Sequence, residues 1–170
     1  MLLKRDRSEN FSVKNEICME KVVDDLLMIS IRVDSKKRQA YYDYWRLTKT
    51  IGIPPLEVGI DRTSDTIQTI VFYVESTSFK ETKFNGTTEN TGLIIIDPSI
   101  FKKENDYVDV NSSYFVFCKD NEFICSFASD FDPDIAYKAD RVKVFLKSNK
   151  VVGFSIVDLT SREIRKLKSI

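Results

Sequence analysis

The sequence predicts an α+β fold: antiparallel β-hairpins forming one or two sheets, an aromatic-rich helix after the first strand, and a C-terminal helix. Three observations carry this. Apolar and polar residues alternate in strand–turn–strand patterns at 56–75, 114–127 and 142–157. A Tyr/Trp stripe falls at helical spacing within 36–50. A capping-box sequence, Thr160-Ser161-Arg162-Glu163, stands near the end of the chain. The 170 residues, 42% hydrophobic and 31% charged, suit one compact domain over 1–170, divisible into two β lobes at about 13–80 and 91–170.

The elements follow in order. Residues 1–12 read as a polar tail, and Val13, Ile17 and Val22 are thinly spread for a helix over 13–25. Leu26 to Val33 reads as a strand. Asp34 and Ser35 then offer an N-cap for a helix from Lys36 to Thr50. Its inner stripe is Tyr41, Tyr44, Trp45 and Thr48, which leaves Tyr42 exposed. Gly52 ends it, and Pro54-Pro55 forbid its continuation.

Leu56 to Asp61 and Ile67 to Glu75 form the clearest hairpin. Thr77 to Asn90 is polar, contains Asn85-Gly86, and reads as a long loop or a lobe boundary. Leu93 to Ile96 is a short buried strand, and Asp97-Pro98 caps a turn or short helix through Lys103. Tyr114 to Cys118 and Phe123 to Phe127 make a second hairpin, apolar on both faces and so interior. Asp132-Pro133 opens a short helix at Asp134 to Ala139. Val142 to Leu146 and Val151 to Val157 make a third hairpin, and its likeness to the first is the ground for two similar lobes.

Composition excludes whole classes of chemistry. The chain has no histidine, so Ser-His-Asp and Cys-His nucleophilic catalysis lack their base, and imidazole-ligated metal sites go too. Cys18, Cys118 and Cys125 are odd in number and form no C-x-x-C pair. In the second hairpin Cys118 faces Phe123 and Cys125 faces Val116, a diagonal too long for a disulfide, so all three read as reduced thiols. Five glycines and no Gly-rich strand-to-helix loop exclude dinucleotide and P-loop sites. No cofactor is expected. No apolar run reaches 18 residues, and Met1 to Arg7 lacks a signal-peptide apolar region, so the reading is a cytoplasmic protein without a membrane partner.

Charge is the uneven quantity. Residues 104–134 carry eight carboxylates against one lysine, net −7, while residues 135–170 are net +6 in a chain that is neutral overall. Dense loop carboxylates steer basic partners. If hairpin loops cluster at one side of a sheet, these charges sum into one patch. The candidate partner-binding residues are therefore Glu104, Asp106, Asp109, Asp120, Glu122, Asp130, Asp132 and Asp134, with Tyr42 beside them. Within that stretch, Asp130, Asp132 and Asp134 fail the calcium-loop pattern, because Ile135 and Arg141 stand where Gly and Glu are needed. The basic groups near both ends do not add up to a nucleic-acid site in a neutral chain.

The run PLEVGIDRT (55–63) followed by IQTIVFYVES (67–76) resembles stretches of polymorphic-toxin immunity proteins of bacteria, the contact-dependent inhibition type included, and KVVGFSIVDLTS (150–161) is similar in grammar to other small bacterial β domains. The resemblance implies a cytosolic, non-enzymatic protein that occludes the active site of a cognate toxin with a basic surface. Two other readings stay open at this point: a metal-dependent hydrolase using the Asp130, Asp132 and Asp134 carboxylates, and an oligomeric structural module.

Overall fold

Period-two alternation, rather than helical spacing, governs most of this chain. The computed structural model describes residues 2–37, 41–48, 52–76, 84 and 86–170. Among these are fourteen strands: β1 (Arg5–Glu9), β2 (Glu16–Val23), β3 (Leu26–Arg32), β4 (Asp43–Leu47), β5 (Leu56–Asp61), β6 (Thr66–Glu75), β7 (Thr88–Thr91), β8 (Leu93–Ile96), β9 (Tyr107–Val110), β10 (Phe115–Lys119), β11 (Glu122–Ser126), β12 (Ile135–Ala139), β13 (Val142–Lys147) and β14 (Lys150–Ile156). One short helix, α1 (Ser161–Leu167), follows them.

The strands form two sheets. The first runs β1-β8-β6-β5-β4-β9, and β3 with β2 beyond it joins the same edge of β6 as β8. That fork is possible because β6 is ten residues long: Thr69 to Glu75 pair with β3, while Thr66 meets Ile95 of β8. The second sheet runs β10-β11-β14-β13-β12-β7. Pairing is antiparallel except between β4 and β9 and between β7 and β12.

The inner faces share one core. Phe72 of the first sheet lies 5.8 Å from Phe123 and 5.3 Å from Phe154 of the second, ring to ring. Trp45, fully buried, lies 5.1 Å from Phe127. Aromatic side chains of this size dominate the burial energy of a core. Gly92 marks where the chain crosses from β7 to β8, and so from one sheet to the other. Its φ is +133°, and a Cβ there would stand 2.5 Å from the Glu9 carbonyl oxygen, so only glycine fits.

The structure corrects the α+β expectation. The fold is mostly β, 53% strand and 7% helical, with curled mixed sheets, and among the described residues no helix stands directly after the first strand. Residues 43–47 of the expected helix are β4, with Asp43, Trp45 and Leu47 buried and Tyr44 and Arg46 outward; positions 38–40 and 49–51 lie outside the described residues. A Tyr/Trp run at 41, 44 and 45 satisfies a helical stripe, but aromatic residues also favour strands, and both edges of β4 find ladder partners in β5 and β9. Asp34 closes a turn instead of a helix cap, accepting from the Lys36 N–H.

Three smaller corrections share that cause. The expected polar tail contains β1, and the segment before it is anchored to the β13–β14 turn, where Arg5 N–H donates to Asn149 and Val151 N–H donates to the Leu3 carbonyl. Residues 16–23 form β2 on β3, not a helix. Residues 135–139 form β12 on β13, and Asp134 N–H already joins the ladder through the Leu146 carbonyl. In the polar stretch 77–90, β7 occupies the end; positions 77–83 and 85 lie outside the described residues.

Individual strands β3, β5, β6, β8, β10, β11, β13 and β14 stand where alternation places them. The register Cys118↔Phe123 and Val116↔Cys125 is as expected. Asp97 caps a 3-10 turn at Pro98–Ile100. Thr160 and Glu163 form a reciprocal capping box on α1. Among the described residues, no helix is long and apolar enough to cross a membrane.

Candidate functional site

Alternation in β4 sends Tyr44 and Arg46 to the outer face of the first sheet, which no helix covers among the described residues. In register beside them, on β9, are Tyr107 and Asp109, and on β5 Gly59 and Glu57. Tyr44 and Tyr107 stack at 5.3 Å and 11° between planes. The Arg46 guanidinium lies 4.6 Å over the Tyr107 ring and donates to both Asp109 oxygens at 2.7 and 2.9 Å. Glu57 adds a contact at 3.6 Å. The hydrogen bonds to Asp109 outweigh desolvation and hold Arg46 firmly protonated. Burial, then the neighbouring Tyr107 and Glu57, push the Tyr44 hydroxyl above its ordinary range.

Next to this ladder is a cleft of about 360 Å³. Tyr41 and Tyr42 wall one side, Asp61 to Thr63 of the β5–β6 turn another, and Glu104 and Asn105 the approach to β9. Asp43, 2% exposed, also lines it. A carboxylate this buried needs partners. One oxygen accepts from Arg62 at 2.9 Å and the other from the Asp106 N–H at 2.9 Å. Arg62 also donates to the Lys103 carbonyl at 2.6 Å. Asp61 accepts from Thr63 N–H and Ser64 Oγ, and the chain continues through Thr66 Oγ1 to Gln68 Nε2. Gln68 Oε1, inside the core, has no hydrogen-bond partner among the described residues. Among the described residues, the Tyr41 and Glu104 side chains make no ion pair, hydrogen bond or ring contact; Tyr41 is 72% exposed and Tyr107 55%.

Of the residues singled out from sequence, Tyr42, Glu104, Asp106 and Asp109 meet on this β4–β9 edge. Asp106 serves the loop itself: it accepts from Lys102 N–H, which holds its carboxyl below the usual range, and its carbonyl accepts from Tyr44 N–H. The other candidates are elsewhere. Asp120 sits at a left-handed position, φ 54°, in the β10–β11 turn. Glu122 accepts from Ser155 Oγ and lies 3.5 Å from Lys143. Asp132 accepts from Lys147 at 2.6 Å and Asp134 from the Ser148 N–H at 2.7 Å, while Asp130 is exposed in the same loop.

The single acidic patch is thereby corrected. Glu122 stands level with the Ile156 end of β14, and Ser148 precedes its Lys150 end. Seven strand residues separate them, roughly 20 Å at 3.3 Å per residue. Consecutive hairpin turns alternate between the ends of an antiparallel sheet, so acidic turns close in sequence diverge in space.

A second cleft, of about 350 Å³, takes in Asp120 and Glu122 with Lys119, Lys138 and Lys143. In it Lys143 pairs with Glu89 at 2.9 Å, and Lys119 donates to the Phe84 carbonyl. Among the described residues, no three Asp, Glu, Cys or His side chains gather as a metal-ligand set. The three cysteines are free; burial pushes the Cys125 thiol well up and the Cys118 thiol up.

Sequence reading missed Asp43, Tyr44, Arg46, Asp61, Arg62 and Tyr107. The available signal was the alternation of Asp43, Trp45 and Leu47 against Tyr44 and Arg46, which the helical reading of the tyrosines obscured. Compared with known proteins, the chain matches no family model, and no curated sequence matches it.

Proposed function

We propose that this chain is a non-enzymatic, cytosolic binding protein of the immunity type, which neutralises a bacterial toxin by covering its active site. The observation that carries this reading is the β4–β9 edge, where solvent-exposed Tyr41 and Tyr107 flank a cleft with three carboxylates, Asp43, Asp61 and Glu104, and one guanidinium, Arg62. Tyrosines are favoured in interface cores, and an excess of carboxylate steers a basic partner. The most buried carboxylate, Asp43, is neutralised by Arg62 and a backbone N–H, which suits a rigid recognition surface and not proton transfer. Of the three carboxylates of the hydrolase reading, Asp132 and Asp134 are likewise engaged by Lys147 and a backbone N–H, while Asp130 is exposed in the same loop.

The test is co-expression with the toxin domain encoded beside this gene. Cells carrying both should survive, and the purified pair should associate at a rate that falls as salt rises through about 0.15 M. Glu104→Lys should slow association more than it speeds dissociation. Cells that die despite the full chain, or the absence of any adjacent toxin gene, would overturn the proposal.

A further inference from the structure

We infer that the tyrosine-walled cleft seats an arginine side chain of the protein partner; this deepens the binding reading above and rests on it. The face already holds two guanidinium groups of its own. Arg46 has its Cζ 4.6 Å from the centre of the Tyr107 ring and its fork on the two oxygens of Asp109. Arg62 spans the buried Asp43 and the Lys103 carbonyl. Arg46 uses what distinguishes arginine from lysine, a planar fork that pairs with two oxygens and lies over a ring, and Arg62 bridges two oxygens through one nitrogen. Among the described residues, a third set of the same parts has no cation: the exposed Tyr41 ring, the Glu104 carboxylate, and the buried Asp61, whose oxygens each accept one hydrogen bond and keep capacity for another. The cleft's carboxylates outnumber its guanidinium by three to one. At about 360 Å³ it has room for one long side chain.

The experiment titrates Nα-acetyl-argininamide into the full chain and follows amide and ring resonances by NMR. The neutral isostere Nα-acetyl-citrullinamide, at matched ionic strength, is the control. We expect saturable shifts at Tyr41, Tyr42 and Glu104 with a dissociation constant of about 10 mM, and citrullinamide weaker by at least about tenfold, the loss of a charge-assisted pair. Tyr41→Ala and Glu104→Gln, both at exposed positions, should each weaken arginine binding about fivefold, whereas Arg165→Gln on α1 should leave it unchanged. Equal affinity for citrullinamide, shifts that do not saturate, or unaltered affinity in the Tyr41 and Glu104 variants would overturn the inference. The two readings separate cleanly. Arginine binding without protection from a toxin sinks the immunity proposal alone. Protection that survives Tyr41→Ala and Glu104→Gln together sinks the arginine seat alone.

Discussion

The outer faces of the two sheets are built on the same device and end up opposite in character. On each, a glycine in a central strand leaves room for an aromatic ring. On the second sheet Phe131, from the loop before β12, reaches over Gly153, where a Cβ would stand 3.2 Å from its ring. Phe131 then meets Phe145 at 5.0 Å and Phe84 at 5.0 Å, and with Phe117, Ile124 and Ala136 they seal a second small core. On the first sheet Tyr44 lies over Gly59, 3.3 Å from a Cβ there, but its neighbours are Tyr107 and Arg46. Tyr42, from the segment before β4, meets Tyr44 edge-on at 6.2 Å, and Tyr107 stays 55% exposed. A ring over a glycine is a packing motif in either place. Whether it becomes core or recognition surface depends on the polarity of the second layer and on what covers it.

Truncating the central ring on each face should break the symmetry most. Phe145→Ala empties a buried site, 1% exposed, and should cost about 3–5 kcal/mol in urea unfolding. Tyr44→Ala removes a half-exposed ring and should cost about 1 kcal/mol. Comparable losses would mean that the first face is packed as tightly as the second.

The glycines come next. A Cβ at Gly153 would stand 2.4 Å from the Cys125 carbonyl oxygen, which is backbone held in the β11–β14 ladder. Gly153→Ala should therefore cost about 2–3 kcal/mol. At Gly59 the nearest atom, at 2.3 Å, is the Thr69 hydroxyl, which can rotate away. Gly59→Ala should cost about 1 kcal/mol and be partly rescued by Thr69→Ser or Thr69→Ala. A rescue at Gly153 by any side-chain change would contradict this account.

A pH effect sharpens the contrast at the end of the sandwich, where α1 joins the two sheets. Lys166 Nζ donates to the Met19 carbonyl of β2, while Glu163 receives Arg141 from the β12–β13 turn at 2.7 and 3.2 Å. Burial pushes the Glu163 carboxyl up, but Arg141 and the Thr160 donors outweigh it and hold it below the usual range. Its contribution is therefore complete above the unfolded value, about 4.3, and is lost as pH falls through the lower folded value. Glu163→Gln should lower the melting temperature at pH 7 and flatten its fall below pH 4.3; a parallel fall in both proteins would refute the role.

The smallest effect is expected at Arg46. Its pair with Asp109 is on the open face, half-exposed on the carboxylate side, so Arg46→Gln should cost about 0.5 kcal/mol. A loss as large as that of Phe145→Ala would place Arg46 in the framework instead of on a surface.

What the sequence determined by itself is local. Alternation wrote β5 and β6, β10 with β11, and β13 with β14 down to the pairing of Cys118 with Phe123, because a hairpin's register follows from its turn and its two faces. Thr160 and Glu163 wrote the start of α1, because a capping box needs only four consecutive residues. The absence of histidine removed imidazole chemistry before any coordinate was known.

Tertiary structure decided the rest. Tyr41, Tyr44 and Trp45 fit a helix or a strand equally, and the choice lay with β5 and β9, whose ladders are 9 to 63 residues away in sequence. The segments at β1 and at β9 became strands only because β8 and β4 offered open edges. The acidic turns, crowded within residues 104–134, were separated by the geometry of the sheets, and Glu104 was instead brought to Tyr42, Asp43 and Asp61. Ladders between distant strands carry no mark in either sequence alone, since hydrogen-bonding backbone is the same at every residue; which edges meet is settled only when both sheets close over their shared core.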